Sequence, residues 1–263
     1  MQISIYHVDA FTDKIFHGNP AAVCVLPKWL RDDSLYAISK ENNLPVTAFL
    51  LRRENVFEIR WITPEYELDL CGHGSIAAAF IIFNYLEPTL QKVDLQSRNE
   101  LLSIRCENDV IIMNFPAKNI ETMSAAILEE GFGLMPKEVY QCKNDRILAV
   151  YNSEEEIKNL TPNMEILKKL EHRGITITAR GKHVDFVSRT FYPKKNISED
   201  PATGASHCLL APYWSKILNK KDLHALQLSL RGGEIFCRYE NDRVFIKGKV
   251  VLYSQGLITM STY

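Results

Sequence analysis

The chain has 263 residues, 46% of them hydrophobic, enough for one large or two modest domains with a real core. Its formal net charge is −1 and its lysine pairs, Lys194-Lys195 and Lys220-Lys221, are isolated, so we expect no nucleic-acid partner. The first residues lack the basic start and apolar core of a signal peptide, and the longest apolar run, Ile76–Leu86, is shorter than the ~20 residues of a membrane span. The sequence therefore predicts a soluble, cytoplasmic protein with no membrane partner.

The predicted elements are mainly strands, with one long apolar helix in each half of the chain. For the first half, residues 1–116, the patterns predict two strands within residues 1–26, a helix at Asp32–Asn42, strands at Thr47–Arg53 and up to Pro64, a helix from the Cys71 turn to about Leu86, and two or three strands up to Pro116. For the second half, residues 117–263, they predict a linker at Ala117–Glu121, a helix from near Ser124, a strand at Arg146–Tyr151, helices at Ser153–Asn159 and Asn163–Leu170, strands at Ile175–Ala179 and His183–Thr190, a helix at Thr203–Leu218, and antiparallel strands up to Ile258. The expected fold class is α+β, with mainly antiparallel strands around one apolar helix per half.

Cysteine and histidine spacing gives no sign of a bound cofactor. The six cysteines include no CxxC pair, and the seven histidines show no HxxxH or HExxH spacing. Glycine motifs of nucleotide-binding proteins are also missing. We therefore expect no disulfide, no metal and no cofactor.

A short turn pattern occurs twice, at Leu70–Phe80 and at Asp200–Leu210. Each copy is a polar, glycine-bearing turn that opens a run of small and apolar residues, as a loop feeding a buried helix does. The start of a helix presents unpaired N–H groups and the positive end of its dipole, so it binds anions. Two such starts predict two half-sites that grip one small carboxylate.

The repeat extends to both sides of these turns. Strand-like runs that end at a proline, residues 57–64 and 184–193, precede them. Two strand-like runs joined by Glu-Asn-Asp follow each turn, and this is a hairpin signal. Glu100 follows Gly72 by 28 residues, and Glu234 follows Gly204 by 30. The agreement favours an internal duplication with two similar halves.

An enzyme that moved a proton on such a carboxylate would need a base near the acidic C–H and donors that stabilise the developing charge. The expected donors are the backbone N–H groups of both turns, and a closed cleft between the halves would exclude water from them. The substrate-binding residues predicted in the turns are Gly72, Gly74, Ser75, Gly204, Ala205 and Ser206.

Three side chains are candidates for contact with the substrate. Asp200 precedes the second turn, where a plain helix cap is the alternative interpretation. His73 lies inside the first turn, where it could instead merely satisfy the turn. Asn19 follows Gly18 and could equally be a turn residue that tolerates left-handed geometry.

Seven motifs, in order along the chain, resemble those of the phenazine-biosynthesis PhzF-like family. They are Val8–Thr12, Gly18–Val23, Arg60–Pro64, Leu70–His73, Asp185–Arg189, Glu199–Gly204 and Arg231–Glu234. The resemblance implies a diaminopimelate-epimerase-like fold: two pseudo-symmetric halves, each a mainly antiparallel, barrel-like sheet around a central helix, with the site in the cleft. It also implies a cofactor-free isomerase with a biosynthetic role, usually a homodimer. Asp200 and His73 match family residues that line the site, and Asn19 matches an asparagine near the substrate.

The chain departs from the family at its main acid/base. The family has a glutamate in a Ser-Glu-Thr-Ala-Phe segment, where this sequence has Pro45 and Val46. Valine cannot carry a proton, and Glu41, one helical turn away, is a speculative substitute. Ala205 stands where many members have serine, although Ser206 follows.

Cys71 offers a different chemistry, because related racemases and epimerases use a thiol in the equivalent turn. The second turn has Pro201 and Ala202 instead of a partner cysteine, and Cys208 lies further into the helix. A lone buried cysteine usually serves packing. Three hypotheses therefore stand: an isomerase that uses Asp200 with His73, a catalytically silent protein that binds small carboxylates, and a Cys71-dependent epimerase. The substrate is not specified by the sequence.

Overall fold

A computed structural model describes residues 1–54, 56–124, 126–142, 145–195 and 198–260. The chain forms two compact units. The first contains Met1–Asn114 together with the described residues from Lys247 onward, and the second contains Phe115–Ile246. No helix of the described residues is long and apolar enough to span a membrane.

The elements follow the predicted order closely. Up to the first boundary they are β1 (Gln2–Ala10), β2 (Asn19–Leu26), α1 (Asp32–Asn42), β3 (Thr47–Arg52), β4 (Phe57–Ile62), β5 (Glu67–Leu68), α2 (Gly72–Ile81) with a π-helical turn (Ile82–Leu86), β6 (Lys92–Gln96), β7 (Leu101–Glu107) and β8 (Val110–Pro116). Then come β9 (Glu121–Thr122), α3 (Ala126–Phe132), β10 (Glu138–Cys142), β11 (Arg146–Val150), α4 (Glu154–Asn159), α5 (Met164–Leu167), β12 (Gly174–Arg180), β13 (Phe186–Phe191), β14 (Glu199–Asp200), a 3-10 turn (Gly204–Ser206), α6 (His207–Leu218), β15 (Asp222–Gln227), β16 (Gly233–Glu240), β17 (Arg243–Gly248) and β18 (Val250–Thr259).

The strands of the first unit surround one apolar helix. β1 pairs antiparallel with β2 and β18, β2 runs parallel to β3, and β3 is antiparallel to β4. β4 is antiparallel to β5 and parallel to β6, and β6, β7 and β8 continue antiparallel. Helix α2 contacts β1, β2 and β3, and its residues from Gly74 to Ala79 are all buried. A helix that is apolar on all sides is stable only in such a core.

The second unit repeats the same sequence of pairings. β10 is antiparallel to β11, β11 is parallel to β12, and β12 is antiparallel to β13. β13 is then antiparallel to the two-residue strand β14 and parallel to β15, which is antiparallel to β16. Helix α6 takes the place of α2. The internal duplication predicted from the sequence is therefore confirmed strand by strand.

The two Glu-Asn-Asp turns show why this signal was reliable. Asn108 and Asp109 have φ values of 50° and 62°, and Asn241 and Asp242 have φ values of 51° and 56°. Two-residue hairpin turns need positive φ at both central positions, which asparagine and aspartate tolerate better than most residues. The predicted hairpin between β7 and β8 is confirmed by the pairing of Glu107 with Val110.

Some boundaries differ from the sequence-based expectation. The described residues from Lys247 onward belong with the first unit, although the sequence assigned them to the second half, because β18 pairs with β1 from Gln2 to Ala10. Helix α5 has four residues, because its chain continues as a tighter turn in which the Leu170 N–H bonds to the Leu167 carbonyl. The short strands β5, β10 and β14 have no strong period of their own in the sequence and were not predicted.

Each unit ties its two-residue strand to the preceding long strand with a partly buried ion pair. In the first unit Arg60 donates from Nε and Nη2 to the two carboxylate oxygens of Glu67, at 2.8 and 2.7 Å. In the second unit Arg189 makes the same two-pronged contact with Glu199, at 2.7 and 2.9 Å. These strands lead directly into the glycine turns, so the paired bonds fix where each turn begins.

Replacing Arg189 with alanine should lower the free energy of unfolding by roughly 1–3 kcal/mol, because the partly buried Glu199 carboxylate would lose two hydrogen-bond donors. Arg189 also donates to the carbonyls of Ile157 and Leu160, at 3.1 and 2.7 Å, and these would lose their donor. Urea unfolding of the variant measures the loss.

The matched control is Arg238→Ala, which removes an arginine that also forms two ion pairs, with Asp222 and Glu240, but on the exposed side of the strands. Solvent screens such pairs, so unfolding of this variant should resemble that of the wild type. Equal losses in the two variants would contradict a positioning role for the Arg189–Glu199 pair.

Candidate active site

The first turn is built by the start of α2. Cys71 is the N-cap residue, with extended backbone, and its carbonyl accepts both the N–H and the hydroxyl of Ser75, at 2.9 and 2.7 Å. The polar groups of the predicted binding residue Ser75 thus have an acceptor inside the turn. The N–H groups that precede Ser75, including that of Gly72, lie outside the hydrogen-bond ladder of the helix.

Gly74 is required by the indole beneath the turn. A Cβ atom added to Gly74 would lie 2.7 Å from Cδ1 of Trp61, a distance that real Cβ atoms do not reach. Trp61 is almost completely buried. The turn therefore approaches β4 as closely as its backbone allows.

The structure brings His73 next to Cys71. Nδ1 of His73 lies 3.5 Å from Sγ of Cys71. The thiol is buried at the N-terminal end of α2. The spacing Cys-x-His at a helix start is the sequence signal for this pair.

Val46 and Asn19 both lie at the start of strands in the first unit. Val46 is fully buried just before β3, and its carbonyl accepts the Ala22 N–H at 3.0 Å. Asn19, also fully buried, is the first residue of β2, three residues before Ala22. Strand β2 thus links Val46, through Ala22, to the predicted substrate-contacting amide of Asn19. Glu41 is exposed on α1.

Asp200 sits in a ring of hydrogen bonds ahead of the second turn. Its Oδ2 accepts the Thr203 hydroxyl at 2.6 Å, and its carbonyl accepts the Gln227 side-chain N–H at 2.6 Å. Gln227 closes the ring by accepting the Thr203 N–H at 2.8 Å. Asp200 is almost completely buried, and these bonds hold its carboxylate in a defined place.

The second turn itself is the 3-10 segment that leads into α6. Ala205 is exposed, whereas Ser206 is fully buried. The Ser206 hydroxyl lies 2.7 Å from Nη1 of Arg146 and about as close to the hydroxyls of Thr176 and Thr190, at 3.1 and 3.0 Å. This hydroxyl belongs to an interior polar cluster. The groups of Gly204–Ser206 that remain to bind a ligand are therefore those of the backbone.

His207 fixes the turn from inside the helix. Its Nδ1 donates to the Thr203 carbonyl at 3.0 Å, which matches the contact of Ser75 with the Cys71 carbonyl in the other unit. Burial lowers the pKa of His207 to about 4, so the ring is neutral at physiological pH. His207 therefore holds the turn as a neutral hydrogen-bond donor.

The predicted residues form two groups, one in each unit. Asn19, Val46, His73 and the Gly72–Ser75 turn belong to the first, and Asp200 and the Gly204–Ser206 turn to the second. Sequence reasoning missed Thr203, Gln227, His207 and Arg146. Superposing the two copies of the turn would have identified Thr203 as the counterpart of Cys71, but Arg146 and Gln227 lie in ordinary strand sequence. Among the described residues, no three His, Cys, Asp or Glu side chains cluster as metal ligands would.

Comparison with known proteins decides the family. The model of phenazine biosynthesis-like proteins, PhzC-PhzF, matches residues 8–256. The chain belongs to this family. It is 40% identical to a protein of Pseudomonas aeruginosa named as an uncharacterized isomerase, over 99% of this chain and 100% of that protein.

Solved structures show the same fold. A PhzF-family phenazine biosynthesis protein of Enterococcus faecalis superposes with a TM-score of 0.95 at 39% identity, covering 99% of this chain and 100% of that chain. A hydroxyproline epimerase from Agrobacterium vitis has the fold at 12% identity, with a TM-score of 0.59 over 98% of this chain and 92% of that chain. The α+β, epimerase-like fold expected for this PhzF-like chain is therefore confirmed.

Replacing Gly74 with alanine should destabilise the first unit by roughly 1–3 kcal/mol, because the new methyl group would overlap the Trp61 ring. Thermal unfolding of the variant tests this. Gly256→Ala is the control, since no atom lies within 4 Å of the added Cβ there. Equal melting temperatures for the two variants would show that the turn can move away from Trp61.

The stability of the second unit should depend on pH through His207. Its pKa is about 4 when folded and about 6.5 when unfolded, so between these values the unfolded chain binds the extra proton. The free energy of unfolding should fall as the pH drops from about 6.5 to about 4, with a slope of up to ~1.4 kcal/mol per pH unit. Urea unfolding of the wild type and of His207→Asn across this range isolates the contribution, because asparagine keeps a donor but does not titrate. The same slope in both proteins would contradict the assignment.

Proposed function

We propose that this protein is a cofactor-independent isomerase that moves a proton on a small carboxylate. The backbone N–H groups of the two glycine turns are the donors that bind this carboxylate. The proposal rests above all on Asp200, a carboxylate held by Thr203 beside one of these turns. Family membership and the repeated helix starts support it.

The chemistry follows from what a carbon acid needs. Removal of a proton next to a carboxylate pushes negative charge onto the carboxylate oxygens, and fixed N–H donors stabilise that charge without reorganising. In the proposed mechanism a carboxylate oxygen of Asp200 accepts the proton from carbon. Asp200 then returns this proton, or His73 donates a proton of its own, to a different carbon or to the opposite face of the same one. In the second case Asp200 releases its proton to solvent and His73 takes one up before the next turnover. We propose that water is excluded from the substrate during transfer.

Val46 determines which reaction remains possible. A fully buried valine stands where family members have their acid/base glutamate, so one of the two proton carriers is missing at that position. We infer that the proton route runs through Asp200 and His73, and that the phenazine precursor is not the substrate. Detectable isomerisation of dihydro-hydroxyanthranilate by the purified protein would overturn this inference.

A second candidate is a thiol-dependent epimerase, and the 3.5 Å contact between His73 and Cys71 favours it specifically. A thiolate at a helix start beside an imidazole is a competent base toward a carbon acid. The third possibility, a silent protein that binds carboxylates, uses the same turns without proton transfer.

The family resemblance also leads us to propose a homodimer that works in the cytoplasm in a biosynthetic process. Sedimentation of the purified protein tests the dimer.

The first experiment is proton exchange in deuterated water, followed by NMR with a panel of small amino and hydroxy carboxylates. We expect the wild type to exchange one C–H of its substrate. Asp200→Asn should lower the rate about 100-fold or more, because the amide cannot accept the proton. Cys71→Ser is the matched control, and its rate should stay that of the wild type.

The opposite pattern, loss in Cys71→Ser and retention in Asp200→Asn, would establish the thiol-dependent epimerase instead. Val46→Glu is measured alongside. Exchange that appears only in Val46→Glu would show that the wild type is a silent binding protein, and the isomerase proposal would then be wrong.

A further inference from the structure

Arg146 is a buried arginine directly behind the second turn. It is the first residue of β11 and only 6% exposed. Its Nη1 donates to the Ser206 hydroxyl at 2.7 Å, and its guanidinium carbon lies 5.6 Å from the centre of the Tyr192 ring. Ser206 is the residue directly before α6, so the guanidinium is anchored to the start of this helix.

The charge of Arg146 is stabilised by its own unit, but one of its N–H donors has no acceptor there. Burial lowers the pKa of Arg146, but Tyr192 and Asp145 raise it by more, so the charge is retained. The nearest carboxylate oxygen among the described residues, Oδ1 of Asp145, is 4.0 Å from Nε of Arg146. That Nε is buried and has no hydrogen-bond partner among the described residues. An anion bound nearby would add a favourable interaction with this fixed charge.

The equivalent place in the first unit carries no charge. The strand registers match Ser206 with Gly74, Thr190 with Trp61, Thr176 with Ala48, and Arg146 with Ala21. There the Trp61 ring fills the space under the turn. An apolar side chain under the turn is therefore sufficient for the fold. The charged side chain in the second unit needs another explanation.

Electrostatics at the first turn of α6 agree with this placement. Burial is the main cause that lowers the pKa of His207, and the charge of Arg146 lowers it further. The same charge opposes the rise that burial causes in the pKa of the Cys208 thiol. The guanidinium thus adds a full positive charge to the positive end of the helix dipole.

We propose that Arg146 is a positioning residue that turns the Gly204–Ser206 segment into the primary anion site of the protein, where the carboxylate of the substrate binds. This inference rests on the proposed function. Arg146 acts through the turn: it holds Ser206 in place and supplies the field, while the backbone N–H groups contact the anion. The first turn, without such a charge, then binds the carboxylate more weakly.

Malonate is the probe, and amide chemical shifts in a ¹⁵N-labelled protein report where it binds. In the wild type we expect malonate to shift the amides of Gly204 and Ala205 at lower concentration than those of Gly72 and Gly74. Arg146→Met should weaken binding at the second turn about tenfold or more, a loss of ~1.4 kcal/mol. Arg146→Lys, which keeps the charge, should restore part of the affinity.

Lys118→Met is the matched control. It removes one positive charge from the same unit, from a half-exposed ammonium 3.1 Å from Asp145, and its malonate affinity should match that of the wild type. A purely structural role of Arg146 would lower the melting temperature but leave the affinity of the folded variant unchanged. That result would overturn the inference.

The Nε–H signal of Arg146 in the wild type gives a second measurement that does not depend on variant folding. We expect it to shift together with the Gly204 and Ala205 amides as malonate is added. No shift of this signal, or stronger binding at the first turn, would also overturn the inference. Proton-exchange activity is recorded separately, so a protein that binds malonate through Arg146 but exchanges nothing would disprove the isomerase and leave the anion site standing.

Discussion

Each unit depends on burying the start of one apolar helix. Helices α2 and α6 are too apolar to be stable in water, yet their first N–H groups have no acceptor in the helical ladder. In each unit a side-chain donor four residues on bonds to the carbonyl that precedes the helix, that of Cys71 or Thr203, and holds the helix start in place. The turn N–H groups ahead of these donors stay outside the ladder. In the first unit Gly74 comes from the same packing, because only a residue without a side chain approaches Trp61 so closely.

The two units place different side chains under their turns. Under the first turn the chain places an indole against a glycine, and under the second a guanidinium against a serine. Each arrangement leaves one buried N–H donor without an acceptor among the described residues, Nε1 of Trp61 and Nε of Arg146. A duplicated fold has thereby become chemically asymmetric: the carboxylate Asp200 and the buried cation both lie in the second unit, and the thiol–imidazole pair lies in the first.

The sequence predicted most of the elements because their signals are local. A few neighbouring residues specify each apolar helix, each Glu-Asn-Asp hairpin and each glycine turn. Because of the duplication, each of these signals occurs twice in the sequence. Arg146 and Gln227 could not be predicted, because each is one residue in an ordinary strand whose role arises from what the fold packs against it. The pairing of β18 with β1 was missed for the same reason, since its partner lies more than 200 residues away in sequence.

A valine at position 46 does not by itself argue for an inert protein. A buried valine stabilises the fold, since no charge needs solvation there. Asp200 is held by a ring of hydrogen bonds, and Arg146 is held behind the second turn by its bond to Ser206. Both groups are therefore fixed in place before any ligand binds. In the reaction that we propose, this is why the second turn, with Asp200, is the part of the protein that meets the substrate.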